Sequence, residues 1–211
     1  LALREGQTEA AVFLIKQGAN TNIKNRIGGD ALIDTINNRE KFKEPMKMVN
    51  LLINKGANLN DALESASSEG AFDIVKRLIA KGANPNSTNK NGYTPLMFAV
   101  SRNCIDVIDF LADRGADVNA KTRDGRTALM ISAFWGYTEI AKILLLHGAH
   151  INAKNNDGDT ALLVAASYGR TKMVKLLLDY KADPKIKNNE GDTALTKAKR
   201  NRSQDIVTLL E

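Results

Sequence analysis

His147 and His150 are the only histidines of this 211-residue chain and Cys104 is its only cysteine. Metal binding or nucleophilic catalysis would have to be built around them. Two imidazoles so close in sequence can share a tetrahedral ion when thiolates or carboxylates complete the ligand set. No cysteine or carboxylate group stands at a matching spacing, and Gly148-Ala149 separates the pair. Both are read as solvated loop side chains. Cys104 follows Arg102-Asn103 near a helix junction without a positioned histidine, which predicts a free, half-buried thiol rather than a nucleophile. Asp124-Gly125 and Asp157-Gly158 are read as hairpin turns, because the alternating oxygen ligands of a calcium loop are missing. No Gly-x-Gly-x-x-Gly, phosphate-loop lysine or His-Glu-x-x-His pattern occurs. The expectation is a chain that is not an enzyme, with no catalytic residue, cofactor, metal ligand or small-molecule substrate.

Charge narrows the partners. The formal net charge is +6, from 30 basic and 24 acidic residues. The excess lies between Arg170 and Arg202, while residues 89–167 are balanced. A basic end can attract nucleic acid or acidic protein, or simply solvate a terminus. Nucleic-acid binding through Lys172, Lys175, Lys185, Lys187, Lys197, Arg200 and Arg202 is the weaker reading, since no aromatics interleave for base stacking. No apolar run is long enough to span a bilayer, so membrane insertion is not expected. One cysteine excludes an internal disulfide and fits a reducing compartment. A cytoplasmic location is expected, with nuclear, periplasmic and host-delivered locations left open. Leu1 is not an initiator, which implies residues upstream.

The elements that position these side chains follow from self-similarity. Gly-Ala recurs at Gly18, Gly56, Gly82, Gly115 and Gly148, with Lys181-Ala182 as a sixth copy. A period of this size means stacked supersecondary units forming one quasi-linear domain. Residues 89–121 serve as the type unit. Asn91-Gly92 marks a tight turn. Thr94 offers a hydroxyl to a helix start, and Pro95 sits where its missing N–H costs nothing. Leu96, Phe98, Ala99 and Val100 give a short helix apolar nearly all round, hence sandwiched. Asn103 closes it. A second helix carries Ile105, Val107, Ile108, Phe110 and Leu111 inward, with Asp106, Asp109 and Asp113 outward. Gly115 ends it as a left-handed cap.

Turn, Thr-Pro-Leu, helix, helix and Leu-x-x-x-Gly-Ala-Asp-Val-Asn together resemble the ankyrin repeat. The resemblance covers essentially the whole chain and implies an all-α solenoid of helix-turn-helix units with β-hairpin or loop fingers, curved, with a concave binding face. It implies a single domain over 1–211. Its units are 1–24 (partial), 25–60, 61–88, 89–121, 122–154, 155–187 and 188–211. The family's proline is present only at Pro95; Ala31, Ala62, Ala128, Ala161 and Ala194 replace it. The family's histidine is absent, its place taken by Ile33, Glu64, Met97, Met130, Leu163 and Thr196. Between Asn37 and Met48 a Lys/Glu-rich insertion with Pro45 predicts an outward bulge. At Asn60-Asp61 residues are missing, which predicts a unit without a finger. Lys197 and Lys199 stand where Phe98 and Val100 stand in the type unit, which marks 188–211 as a terminal cap.

In the family, partners bind finger tips and first-helix ends. The matching positions bring together Phe134, Trp135 and Tyr168 from adjacent units, with Tyr93, Arg102, Arg123, Arg126 and Asp159 alongside. Trp, Tyr and Arg are enriched in binding hot spots, and Trp135 is the only tryptophan. The same aromatics could instead wedge between neighbouring units. The resemblance implies a monomeric, non-catalytic scaffold or adaptor for a protein partner. The alternative is a targeting or regulatory module of a larger protein, an enzyme or a bacterial effector.

Overall fold

The computed structural model describes residues 7–26 and 28–211; the start of the partial first unit at Leu1 falls outside them. The described residues form thirteen α-helices and no strand. They are α1 (Thr8–Lys16), α2 (Ala31–Asn37), α3 (Pro45–Asn54), α4 (Leu59–Ser68), α5 (Phe72–Ala80), α6 (Pro95–Ser101) and α7 (Ile105–Asp113). Then follow α8 (Ala128–Trp135), α9 (Thr138–Leu146), α10 (Ala161–Ser167), α11 (Thr171–Asp179), α12 (Ala194–Arg200) and α13 (Gln204–Leu210). The chain divides into two compact units, Leu1–Ser87 and Thr88–Glu211, described in turn.

In the second unit each first helix packs on the helix that follows. The first helices α6, α8, α10 and α12 touch in order, and α7, α9, α11 and α13 form a second row. The core lies between the rows. Leu96, Leu129 and Leu162 enter it from the first helices, and Leu111, Leu144 and Leu177 from the second, all at 1% exposure or less. Cutting any one of them to alanine would cost roughly 2–5 kcal/mol. Six consecutive residues of α8, Ala128 to Ala133, are buried, as expected for a helix enclosed on all sides.

Threonines start these short helices. Thr94, Thr127, Thr160 and Thr193 accept through Oγ1 from the N–H groups of Met97, Met130, Leu163 and Thr196 at 3.3–3.4 Å. The cap satisfies one orphan donor of each helix start. Met97, Met130 and Leu163 themselves are buried, so apolar packing fills the place that a polar ring would take.

The fingers carry no strand ladder; side chains close them. Asn89 donates its N–H to the Tyr93 carbonyl (3.1 Å), and its Oδ1 accepts from the N–H groups of Asn91 and Tyr93. Asn155 and Asn188 repeat the arrangement, and Thr122 substitutes its hydroxyl. Neighbouring fingers then join backbone to backbone. Arg123 N–H reaches the Asn91 carbonyl (2.9 Å), Asn156 the Asp124 carbonyl (3.1 Å) and Asn189 the Asp157 carbonyl (2.9 Å). Lysines add rungs: Lys121 Nζ donates to the Lys154 carbonyl and Lys154 Nζ to the Lys187 carbonyl, each across 33 residues.

In the first unit α2 packs on α3 and α4, and α4 on α5. Asp30 caps α2, accepting from the N–H groups of Leu32 and Ile33. The insertion is more ordered than an outward bulge. It holds a 3-10 turn (Arg39–Lys41) and buries Phe42 to 5% exposure before Pro45 opens α3. Its charged composition hid one apolar anchor. Where other helix pairs are joined across a finger such as residues 81–94, α3 gives way to α4 across 55–58 alone. Asn58 caps α4, and the Oδ1 of Asn60 accepts from the Asn84 N–H at 2.8 Å.

Candidate protein-binding surface

The end of α8 sets the site. Gly136, at φ 80°, turns the chain after Trp135, and Arg170 Nε donates to the Phe134 carbonyl at 2.9 Å. Its side chain, counted from sequence only toward the basic end, therefore pins the aromatic segment from the next repeat. The Phe134 ring stands edge-on to Trp135 (4.9 Å, 87°) and to Tyr168 (4.4 Å, 63°). Trp135 lies nearly parallel to Tyr137 at 6.3 Å, a partner that the sequence reading missed. Packing fixes the rings without hiding them: Trp135 is 47% exposed and Tyr168 52%. A pure wedge between repeats would be buried.

A recess of about 340 Å³ opens beside these rings. Tyr93, Arg126, Phe134, Trp135, Asp159 and Tyr168 all line it, and Ser101, Asn155 and Asp157 add polar edges. Tyr93 rests against Phe98 at 5.5 Å. Arg102 and Arg123 are exposed but do not line the recess. Arg102 follows the end of α6, and Arg123 lies at a finger tip whose carbonyl accepts from Asn156 Nδ2.

Charge in the recess is uneven. Arg126 Nε is held by Asp124 at 2.8 Å. The Thr122 hydroxyl, donating to Asp124, holds that carboxyl below its ordinary value; Arg126 assists and partial burial opposes. Asp159 Oδ1 accepts from Asn188 Nδ2 at 2.8 Å. Among the described residues neither Asp157 nor Asp159 joins an ion pair.

The chemistry-bearing residues scatter. His147 is not a solvated loop side chain: its Nε2 lies 3.2 Å from Asp109 Oδ1 of the preceding repeat, with Asp113 at 4.0 Å. The Asp109 side chain that meets it had been read only as outward-facing. His150 is exposed, and its backbone N–H donates to Asn119 Oδ1 at 2.7 Å. Cys104 is half-buried just before α7, its thiol 3.7 Å from the Arg102 carbonyl. No cluster of potential metal ligands occurs among the described residues, and no helix among them is long and apolar enough to cross a membrane.

At the basic end, carboxylates engage several of the cations. Arg200 makes a two-pronged contact with Asp192 at 2.9 and 3.0 Å, and Lys197 reaches Asp192 and Glu190 at 3.1 Å. Lys199 pairs with Glu211 at 2.9 Å.

A family model described as ankyrin repeats (3 copies) matches residues 1–89, 63–155 and 148–211. Among curated proteins the chain is similar to the mouse (Mus musculus) B-cell lymphoma 3 protein homolog, 34% identical over 110 residues. That stretch is 48% of this chain and 23% of the relative, so the chain spans under a quarter of that protein's length.

Proposed function

Because the chain belongs to the ankyrin-repeat family, whose repeats are generally protein-interaction modules, we propose that it is a non-catalytic scaffold or adaptor. On this reading residues 1–211 are one array, and a protein partner docks on the Trp135–Tyr168 patch. One observation carries the reading: six of the eight side chains named from sequence line a single recess with half-exposed aromatic walls. Ordered aromatics at a recess lose little further entropy on binding and bring large apolar area.

The test uses peptides selected by display on the wild-type chain, titrated against Trp135→Ala and Tyr168→Ala. Loss of about 2 kcal/mol, roughly thirtyfold, is expected in each, with unchanged unfolding midpoints. Unchanged affinity in both would remove the assignment. The short coverage of the relative favours a second reading, in which this array is the targeting or regulatory part of a longer protein. Nucleic-acid binding draws less support, since Lys197, Lys199 and Arg200 are already engaged by carboxylates.

A further inference from the structure

We infer that the recess receives a cationic side chain, arginine or lysine, presented by the partner; this rests on the protein-binding reading. Three features converge. Trp135, Tyr168 and Phe134 meet at steep angles, so ring faces and edges both border the space. A cation over such faces is attracted by the ring quadrupoles, and most strongly over tryptophan. Asp157 and Asp159 line the same space, and among the described residues neither has an ion-pair partner. The one cation among the described residues of the lining, Arg126, is tied to Asp124. A second hollow of about 190 Å³ shares Asp157 and Asp159 and adds Glu190. The lysine there, Lys197, is held by Asp192 and Glu190.

Each alternative occupant does worse. An acidic side chain would meet two like charges. An aliphatic one would press carboxylates against dry surface with no compensating bond. A guanidinium or ammonium satisfies rings and carboxylates together, and a planar guanidinium can also stack on a ring face.

Trp135 is the chain's only tryptophan, so its fluorescence reports on the recess alone. The probes are acetyl-Gly-Arg-Gly-amide, its lysine counterpart, the neutral citrulline isostere and the glutamate tripeptide. Saturable quenching by a cationic probe is expected at least about tenfold tighter than by citrulline, with none by glutamate. The cationic affinity should fall with salt and drop by a similar factor in Asp157→Asn/Asp159→Asn. Asparagine suits the turn at 157 and keeps an acceptor at 159, and the double variant's unfolding curve checks the fold. If the pair unfolds, Asp157→Asn alone carries the measurement. Equal citrulline binding, preference for glutamate, or no saturable response to either cation at tens of millimolar overturns the inference. If display-selected ligands still depend on Trp135 while charge discrimination is absent, the docking surface stands and only the cation-receptor assignment falls.

Discussion

The Ser67 hydroxyl lies in α4 at 0% exposure, and among the described residues its Oγ has no hydrogen-bond partner. In the repeat register its place is taken by Val100, Ala133 and Ala166, all fully buried. An unsatisfied buried hydroxyl carries a desolvation cost of about 1–3 kcal/mol. Ser67→Ala should therefore keep or raise stability, by about 1 kcal/mol, read from urea unfolding; a loss of that size would mean that the hydroxyl has an unseen role. Single residues were unevenly legible in the sequence. Trp135 and Tyr168 could be placed together because the period equates their positions. Tyr137, Arg170 and the Asp109–His147 pair could not. Tyr137 stacks across a turn within its own repeat, and the other two contacts join one repeat to the next through side chains with no counterpart elsewhere in the array.

At the scale of elements, a finger glycine has two separable jobs. Gly125 and Gly191 both sit near φ 80°, a region that costs an ordinary L-residue roughly 1–2 kcal/mol. A Cβ on Gly125 would also fall 2.6 Å from Asn156 Oδ1 and 2.7 Å from its backbone N, whereas one on Gly191 meets nothing within 4 Å. Gly125→Ala should therefore destabilise clearly more than Gly191→Ala, as denaturant midpoints of the two variants will tell; equal losses would mean that the stacked fingers yield freely. Helix starts and stops were legible because threonine caps and left-handed turns are local signals. Even Lys181, the one Gly-Ala copy without glycine, keeps φ 68°, so the tertiary frame overrides the residue's own preference. The insertion was misread for the opposite reason. Its many charges dominate a composition and mask the one aromatic among them, Phe42, which the fold buries.

For the molecule as a whole, stability in a stacked array is nearly a sum of units and interfaces, so local polar networks decide which part opens first. Asp192, almost buried, anchors residues 188–211 through Lys197 and Arg200. Its hydrogen bond with Lys197 foremost, and the charge of Arg200, hold its carboxyl below the ordinary value against a desolvation that opposes them. A carboxyl depressed in the folded state stabilises at pH above its unfolded value, near 3.9, and loses that contribution as pH falls toward its folded value. Amide protection in α12 and α13, taken relative to the intrinsic exchange rate at each pH, should therefore fall on acidification below about pH 4, and in Asp192→Asn it should be lower at neutral pH with a flatter acid response. An unaltered profile in that variant would dismiss the anchor. The period made the architecture readable at this scale, because the units from 25 to 187 repeat the same leucines at the same depth.

The lysine rungs have a further consequence. Lys121 grips the carbonyl of Lys154, which in turn grips that of Lys187, so a segment cut between rungs ends in the same group with which it begins. Copies can be duplicated or deleted in the coding sequence and still rejoin with the lysine donor of each rung matched to a carbonyl. The rungs thus leave such a stack free to change length over generations by whole segments.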